Sequence, residues 1–165
     1  ATTDFNTWPE ISRTILVLLM FIGACAGSTG GGIKVSRILI LCKTVRKELH
    51  IFLHPNAVQK IKMDGKAIPH DVVRSTNIFF IVYMLIFASS IFLIAFDDFN
   101  LITNFTAVAA TFNNIGPGLE LVGPTGNFGM FSWFSKLILT FDMLAGRLEI
   151  FPLLILFVRD TWKKF

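Results

Sequence analysis

Residues 100–118 read NLITNFTAVAATFNNIGPG: an apolar run of about 13 residues, Asn100 to Phe112, and then Asn113, Asn114, Ile115, Gly116, Pro117 and Gly118. As a helix the run is roughly 20 Å long. A hydrocarbon core needs about 20 residues, so this helix does not cross one. Asp97 and Asp98 precede it, and a glycine–proline loop follows. A short apolar helix ending in such a loop fits a re-entrant element that enters a membrane and returns to the same side. An amphipathic helix lying on a surface is the plainer alternative, and the flanking segments decide between them.

Those flanks are membrane-like. The 165-residue chain is 53% hydrophobic and 16% charged, with a mean hydropathy of +0.66. Soluble domains are about 45–50% apolar and about a quarter charged. The 18 Phe against 1 Tyr suggest surfaces that face hydrocarbon. Disorder, collagen and a disulfide-stapled secreted domain are excluded. Residues 78–96, with a flank from Val72, are long enough to span, as are residues 131–158 despite Asp142, Arg147 and Glu149. Residues 11–26 are slightly short and run into Gly27, Ser28, Thr29, Gly30, Gly31 and Gly32, after which residues 33–42 are apolar again. Together these two runs cross with a break in the middle.

Charge sets the expected orientation. Residues 43–74 carry Lys43, Arg46, Lys47, Lys60, Lys62, Lys66 and Arg74, and the tail carries Arg159, Lys163 and Lys164, whereas no Lys or Arg lies between Asp97 and Trp133. The positive-inside rule places residues 43–74 and the C-terminus in the cytoplasm. The net charge of +4 thus reports topology and calls for no nucleic acid. His54-Pro55-Asn56 and Asp64-Gly65-Lys66 are turn signals within a small inner lobe, and Pro55 argues against a regular helix through His50 and His54. Cys25 and Cys42 lie in apolar stretches and are expected to be free and buried. A start at Ala-Thr-Thr-Asp-Phe, without Met, suggests the C-terminal piece of a longer chain.

An internal repeat runs at an offset of 123, from Phe5 to Phe128. Phe5, Ser12, Ile15, Leu16, Met20 and Gly23 match Phe128, Ser135, Ile138, Leu139, Met143 and Gly146, and Arg13 matches Lys136. The shared glycine at one depth points to two copies of a unit, each ending in an outside-to-inside helix. A unit of helix, re-entrant helix, loop and helix suits an ion that has lost its water, because backbone carbonyls replace the hydration shell. Gly116 permits unusual backbone angles, Pro117 stiffens the return, and the partially negative end of the short helix favours a cation. On pattern alone, an exposed turn fits the same six residues equally well.

Five further stretches, taken together, resemble one family. They are residues 2–9 (TTDFNTWP), 27–34 (GSTGGGIK), 54–58 (HPNAV), 113–118 (NNIGPG) and 146–149 (GRLE). In this order the chain resembles the C-terminal third of the bacterial Trk/Ktr-type potassium uptake membrane subunits. The resemblance implies an all-α integral membrane fold of channel-like repeats around one pore, each with a single filter glycine. It assigns residues 1–49 to the end of a third repeat and residues 50–72 to a cytoplasmic lobe. Residues 73–165 become the fourth repeat, with membrane helix 73–96, pore helix 100–112, filter loop 113–119 and last helix 131–159. Asn113, Asn114, Ile115 and Gly116 become the fourth-repeat filter, with K+ at Asn114 and Ile115. The third-repeat filter is expected mainly upstream of Ala1, with Thr2 and Thr3 at its exit.

Gly27, Ser28, Thr29, Gly30, Gly31 and Gly32 exceed what a helix kink needs. A phosphate-binding loop requires Gly-Lys-Ser/Thr after a strand; here Ile33 intrudes, and the preceding run is a membrane helix. The segment reads as a mobile gate, with too few side chains to pack it in place. An unpaired charge at mid-membrane costs at least about 2.5–3.5 kcal/mol, so Arg147 is expected to face the pore or a partner. The resemblance sets Arg147 against the gate. It further implies passive K+ (Rb+) conduction without enzymatic chemistry or a cofactor, in a bacterial inner membrane. The partners implied are a second copy in a homodimer, the lipid bilayer, and a cytosolic nucleotide-binding regulatory ring of the TrkA type. Broken helices and repeats serve ion-coupled secondary transporters as well, which keeps H+ or Na+ coupling as the alternative.

Overall fold

The computed structural model describes residues 2–25, 27–28, 30–55, 60–63, 65–148 and 150–155. Helices dominate: α1 (Glu10–Met20), α2 (Val35–Leu53), α3 (His70–Ile94), α4 (Leu101–Phe112), α5 (Trp133–Leu148) and α6 (Ile150–Ile155). Strands β1 (Lys62–Met63) and β2 (Lys66–Ala67) pair antiparallel, Lys62 opposite Ala67 and Met63 opposite Lys66. Pro9 and Pro69, both near φ −55°, precede α1 and α3 and start them without side-chain caps.

The α3 segment, continued by a short 3-10 turn to Asp97, is the one described helix long and apolar enough to cross a membrane. One of its faces carries Phe79, Tyr83 and Phe87 at four-residue spacing, all buried. Tyr83 packs on Phe112 at 4.6 Å between ring centroids, and Phe87 meets Phe105 and Phe21 edge-on. Part of the phenylalanine excess therefore braces the interior, while Phe52, Phe92 and Phe96 face outward. Aromatic pairs of this kind add about 0.5–1.5 kcal/mol each beyond area burial.

Helix α4 sits inside this frame. Ala107, Val108, Ala109, Ala110 and Phe112 are buried, and the alanines let α3 and α5 approach closely. Asn100 caps it, its Oδ1 accepting the Thr103 N–H at 2.7 Å. Between α3 and α5, Ser90 Oγ donates to Asp142 Oδ1 at 2.8 Å, so Asp142 is a buried helix–helix contact.

Helix α2 runs through Leu53 and is closed by a bond from the His54 N–H to the His50 carbonyl. Pro55 lacks only its own N–H, and the helix ends before that group is needed. One expectation, the burial of the cysteines, needs correction. Cys25 and Cys42 are free but exposed in this chain, because one lies in the loop after α1 and the other on an outward face of α2. Helices α5 and α6 both fall within the span expected for the last helix, 131–159, and residue 149 between them lies outside the described residues. Residues 149 and 156–165 lie outside the described residues, together with Thr29, Asn56, Ala57, Val58 and Asp64.

Candidate functional site

At the C-terminus of α4 the chain turns sharply. Asn113 closes the helix, its backbone N–H and side-chain Nδ2 both donating to the Ala109 carbonyl at 3.1 and 2.9 Å. Asn114 takes a left-handed φ of 54°, which asparagine tolerates better than most residues, and Gly116 has φ 115°, a region that favours glycine. The N–H groups of Asn114 and Ile115 bond back to Thr111 and Ala110 at 3.0 and 2.9 Å. Their donors are thereby used. Among the described residues, no N–H or hydroxyl donates to the carbonyls of Asn113, Asn114, Ile115 or Gly116. Free carbonyls on a turn are acceptors available to water or a cation.

Two side chains hold the turn. Tyr83 Oη donates to Asn113 Oδ1 at 2.7 Å inside the core, and Asn114 Nδ2 donates to the Met143 carbonyl on α5 at 3.1 Å. Gly146 completes the seat, since a Cβ there would strike the Phe112 carbonyl and approach Asn114 Nδ2. An open cavity of about 530 Å³ adjoins the turn, lined by Asn114, Ile115 and Gly116 with Met143, Lys136 and Arg147 from α5.

The glycine-rich break after α1 is held at its C-terminal end, where Gly31 and Gly32 meet the core, while Gly27, Ser28 and Gly30 are exposed. Its two ends run side by side in a parallel bridge between Ile22 and Ile33. The Gly23 N–H donates to Ile33 (2.9 Å), the Ile33 N–H to Phe21 (3.2 Å) and the Val35 N–H to Ala24 (3.3 Å). Buried Lys34 reaches back into the loop, its Nζ donating to the carbonyls of Ser28 and Gly30 at 2.5 and 2.6 Å. A Cβ at Gly31 would strike the Asn113 carbonyl, and one at Gly32 (φ 77°) would press on Asn113 Oδ1. Missing side chains thus permit close packing of backbone on backbone. At these two positions the fit is tighter than the composition of the segment suggests.

A family model described as "TrkH: Cation transport protein" matches residues 1–164. The chain belongs to the TrkH cation transport family. It is 44% identical to the Trk system potassium uptake protein TrkH of Salmonella typhimurium, over 99% of this chain and 34% of that protein. Against the Trk system potassium uptake protein TrkG of Escherichia coli K12 the identity is 37%, over 99% of this chain and 33% of that protein. The crystal structure of the potassium transporter TrkH from Vibrio parahaemolyticus superposes with a TM-score of 0.86 at 43% identity, covering 99% of this chain and 34% of that one. The chain spans about a third of the length of these TrkH-family relatives.

In this TrkH-family chain the sequence-predicted residues converge. Arg147, exposed on α5, lines both the cavity beside Gly116 and a second cavity of about 40 Å³ shared with Ser28, Gly30, Gly32 and Lys34. Gly27 (φ 84°) and Ser28 lie at the exposed edge of the loop, and Thr29 lies outside the described residues. Thr2 and Thr3 are exposed.

Sequence reading missed three groups. Tyr83, the single tyrosine, offered its rarity as a signal. Lys34, a charge between two apolar runs, stood out only by its position, and its two bonds to the Ser28 and Gly30 carbonyls appear only in the fold. Asn6 exchanges two hydrogen bonds with the Glu120 backbone at 3.0 and 3.1 Å, and Arg13 pairs with Glu120 and Glu10 at 2.5 and 2.7 Å. These bonds tie the N-terminal segment to the loop after Gly118. Their only sequence trace is the polar character of residues 2–8.

Proposed function

We propose that the chain is the C-terminal part of the ion-conducting subunit of a bacterial potassium uptake system, carrying passive K+ or Rb+ flow. In this reading the carbonyls of Asn113, Asn114, Ile115 and Gly116 form one quarter of a selectivity filter, with K+ at Asn114 and Ile115. The segment of Gly27, Ser28, Thr29, Gly30, Gly31 and Gly32 is the gate, and Arg147 restrains it and opposes cations in the closed state. The repeat assignment, the homodimer, the TrkA-type cytosolic ring and a cytoplasmic C-terminus in the inner membrane belong to the same proposal.

The observation that carries the reading is the seating of Gly31 and Gly32 directly on Asn113. A loop that touches the base of the carbonyl turn obstructs anything leaving it, and only glycine fits there. The free carbonyls of the turn and the cationic Arg147 beside both cavities add support. The test is Rb+ flux into proteoliposomes holding the full-length protein, with excess external Na+ and with imposed pH gradients. Flux that follows the Rb+ gradient alone and resists Na+ supports a channel-like pore. Flux that requires a second ion's gradient establishes coupled transport and makes the glycine loop an alternating-access hinge.

A further inference from the structure

A second cluster lies away from the carbonyl turn, at the far end of α2. Arg46, Lys47 and His50 lie three, four and seven residues after Lys43, so all four share one side of the helix. Lys60 and Lys62 face them from the β1–β2 hairpin, enclosing a cleft of about 220 Å³. Lys43 Nζ donates to the Lys62 carbonyl at 2.7 Å and fixes the hairpin to the helix. The one remaining described lining residue is Ile61, so among the described residues no carboxylate lines the cleft. Arg46, Lys47, Lys60 and Lys62 make no ion pair among the described residues. His50 Nδ1 is buried there without a hydrogen-bond partner. Five permanent cations and an imidazole facing one another repel, and a bound anion relieves that repulsion.

We infer that this cleft binds the phosphate headgroup of an anionic phospholipid from the inner leaflet. Phosphate chemistry is shared by free phosphate and by lipid, and the neighbouring face of α2 selects the lipid. Val45, Leu49, Phe52 and Leu53 lie 60–90% exposed beside the basic side. A helix with a basic flank and an apolar flank suits the headgroup–acyl boundary, the first holding phosphate and the second the chains. The position, at the cytoplasmic end of a membrane-crossing segment, rests on the orientation proposed above. An acidic protein would satisfy the charges and leave the apolar flank without a partner.

The test uses the full-length protein and native mass spectrometry with phosphatidylglycerol or phosphatidylcholine added. Wild type is expected to retain phosphatidylglycerol in preference. The triple variant Arg46→Gln, Lys47→Gln, Lys62→Gln should lose about a hundredfold in that affinity, about fivefold per charge, with an unchanged melting temperature. Equal phosphatidylglycerol binding by the variant overturns the inference. So does displacement of the lipid by millimolar inorganic phosphate, which makes the cleft a free-anion site. Loss of regulatory-subunit binding with lipid binding intact assigns the cleft to an acidic protein and overturns it equally. Orientation is checked separately with Lys62→Cys in an otherwise cysteine-free full-length background. Labelling of that cysteine from the periplasmic side by an impermeant maleimide refutes the orientation and the inner-leaflet source. Cytoplasmic labelling with unchanged lipid binding in the variant refutes the cleft alone.

Discussion

Gly31 lies against the backbone carbonyl of Asn113, so close that a single added Cβ would collide with it. The contact joins a loop between α1 and α2 to the last turn of α4, elements more than eighty positions apart in the chain. It makes the loop and the carbonyl turn one mechanical unit, in which a shift of either moves the other.

Gly31→Ala is therefore expected to displace the loop and raise basal Rb+ flux in the full-length protein by roughly tenfold, about 1.4 kcal/mol of closed-state stability. Ser28→Ala, at the exposed edge of the same loop, removes only an acceptor for the Gly30 N–H and should leave basal flux near wild type. Proteoliposome flux for both variants checks the contrast, and equal fluxes would remove the Gly31 contact from the gate.

Lys34→Met keeps the length of the side chain and removes the ammonium that bonds the Ser28 and Gly30 carbonyls. Hydrogen bonds to charged groups contribute about 1.5–3 kcal/mol each. The loop should exchange amide hydrogens faster at Gly30, Gly31 and Gly32, and basal flux should rise. Hydrogen-exchange mass spectrometry reads the first effect independently of transport, so unchanged protection would show that the backbone bridge at Ile22 and Ile33 suffices alone.

Arg147→Ala should increase closed-state leak, and Arg147→Lys should restore part of the closure because the charge returns without the planar fork. Rb+ efflux without activating ligand measures both. A normal leak in the alanine variant would restrict Arg147 to a packing role.

Tyr83→Phe removes the hydroxyl that bonds Asn113 Oδ1 and leaves that oxygen buried with one partner fewer. The expected loss is about 1 kcal/mol in stability. A lower discrimination of Rb+ against Na+ should accompany it, since the turn loses an anchor. Melting temperature and competition flux separate the two, and a stability loss with selectivity unchanged would make Tyr83 purely structural.

Composition and periodicity by themselves determined the membrane class, α3 and the short α4, and the break after α1, while five short motifs carried the resemblance to the family. These properties are local: hydrophobic runs set helix length, and Gly and Pro set where helices stop. Residues 113–118 were visible as a turn for the same reason, and Gly116 was legible as a position that needs glycine. Packing was not. The loop reads as loose in sequence because glycine contributes no side chain, yet that absence lets Gly31 and Gly32 meet Asn113 backbone to backbone. Tyr83 finds Asn113 across 30 positions, Asp142 finds Ser90 across 52, and Asn6 finds Glu120 across 114. Such pairings depend on the tilt and rotation of whole helices, which arise from the summed contacts of the assembled core. Tertiary structure alone decided them, because no local pattern encodes which residue will face which.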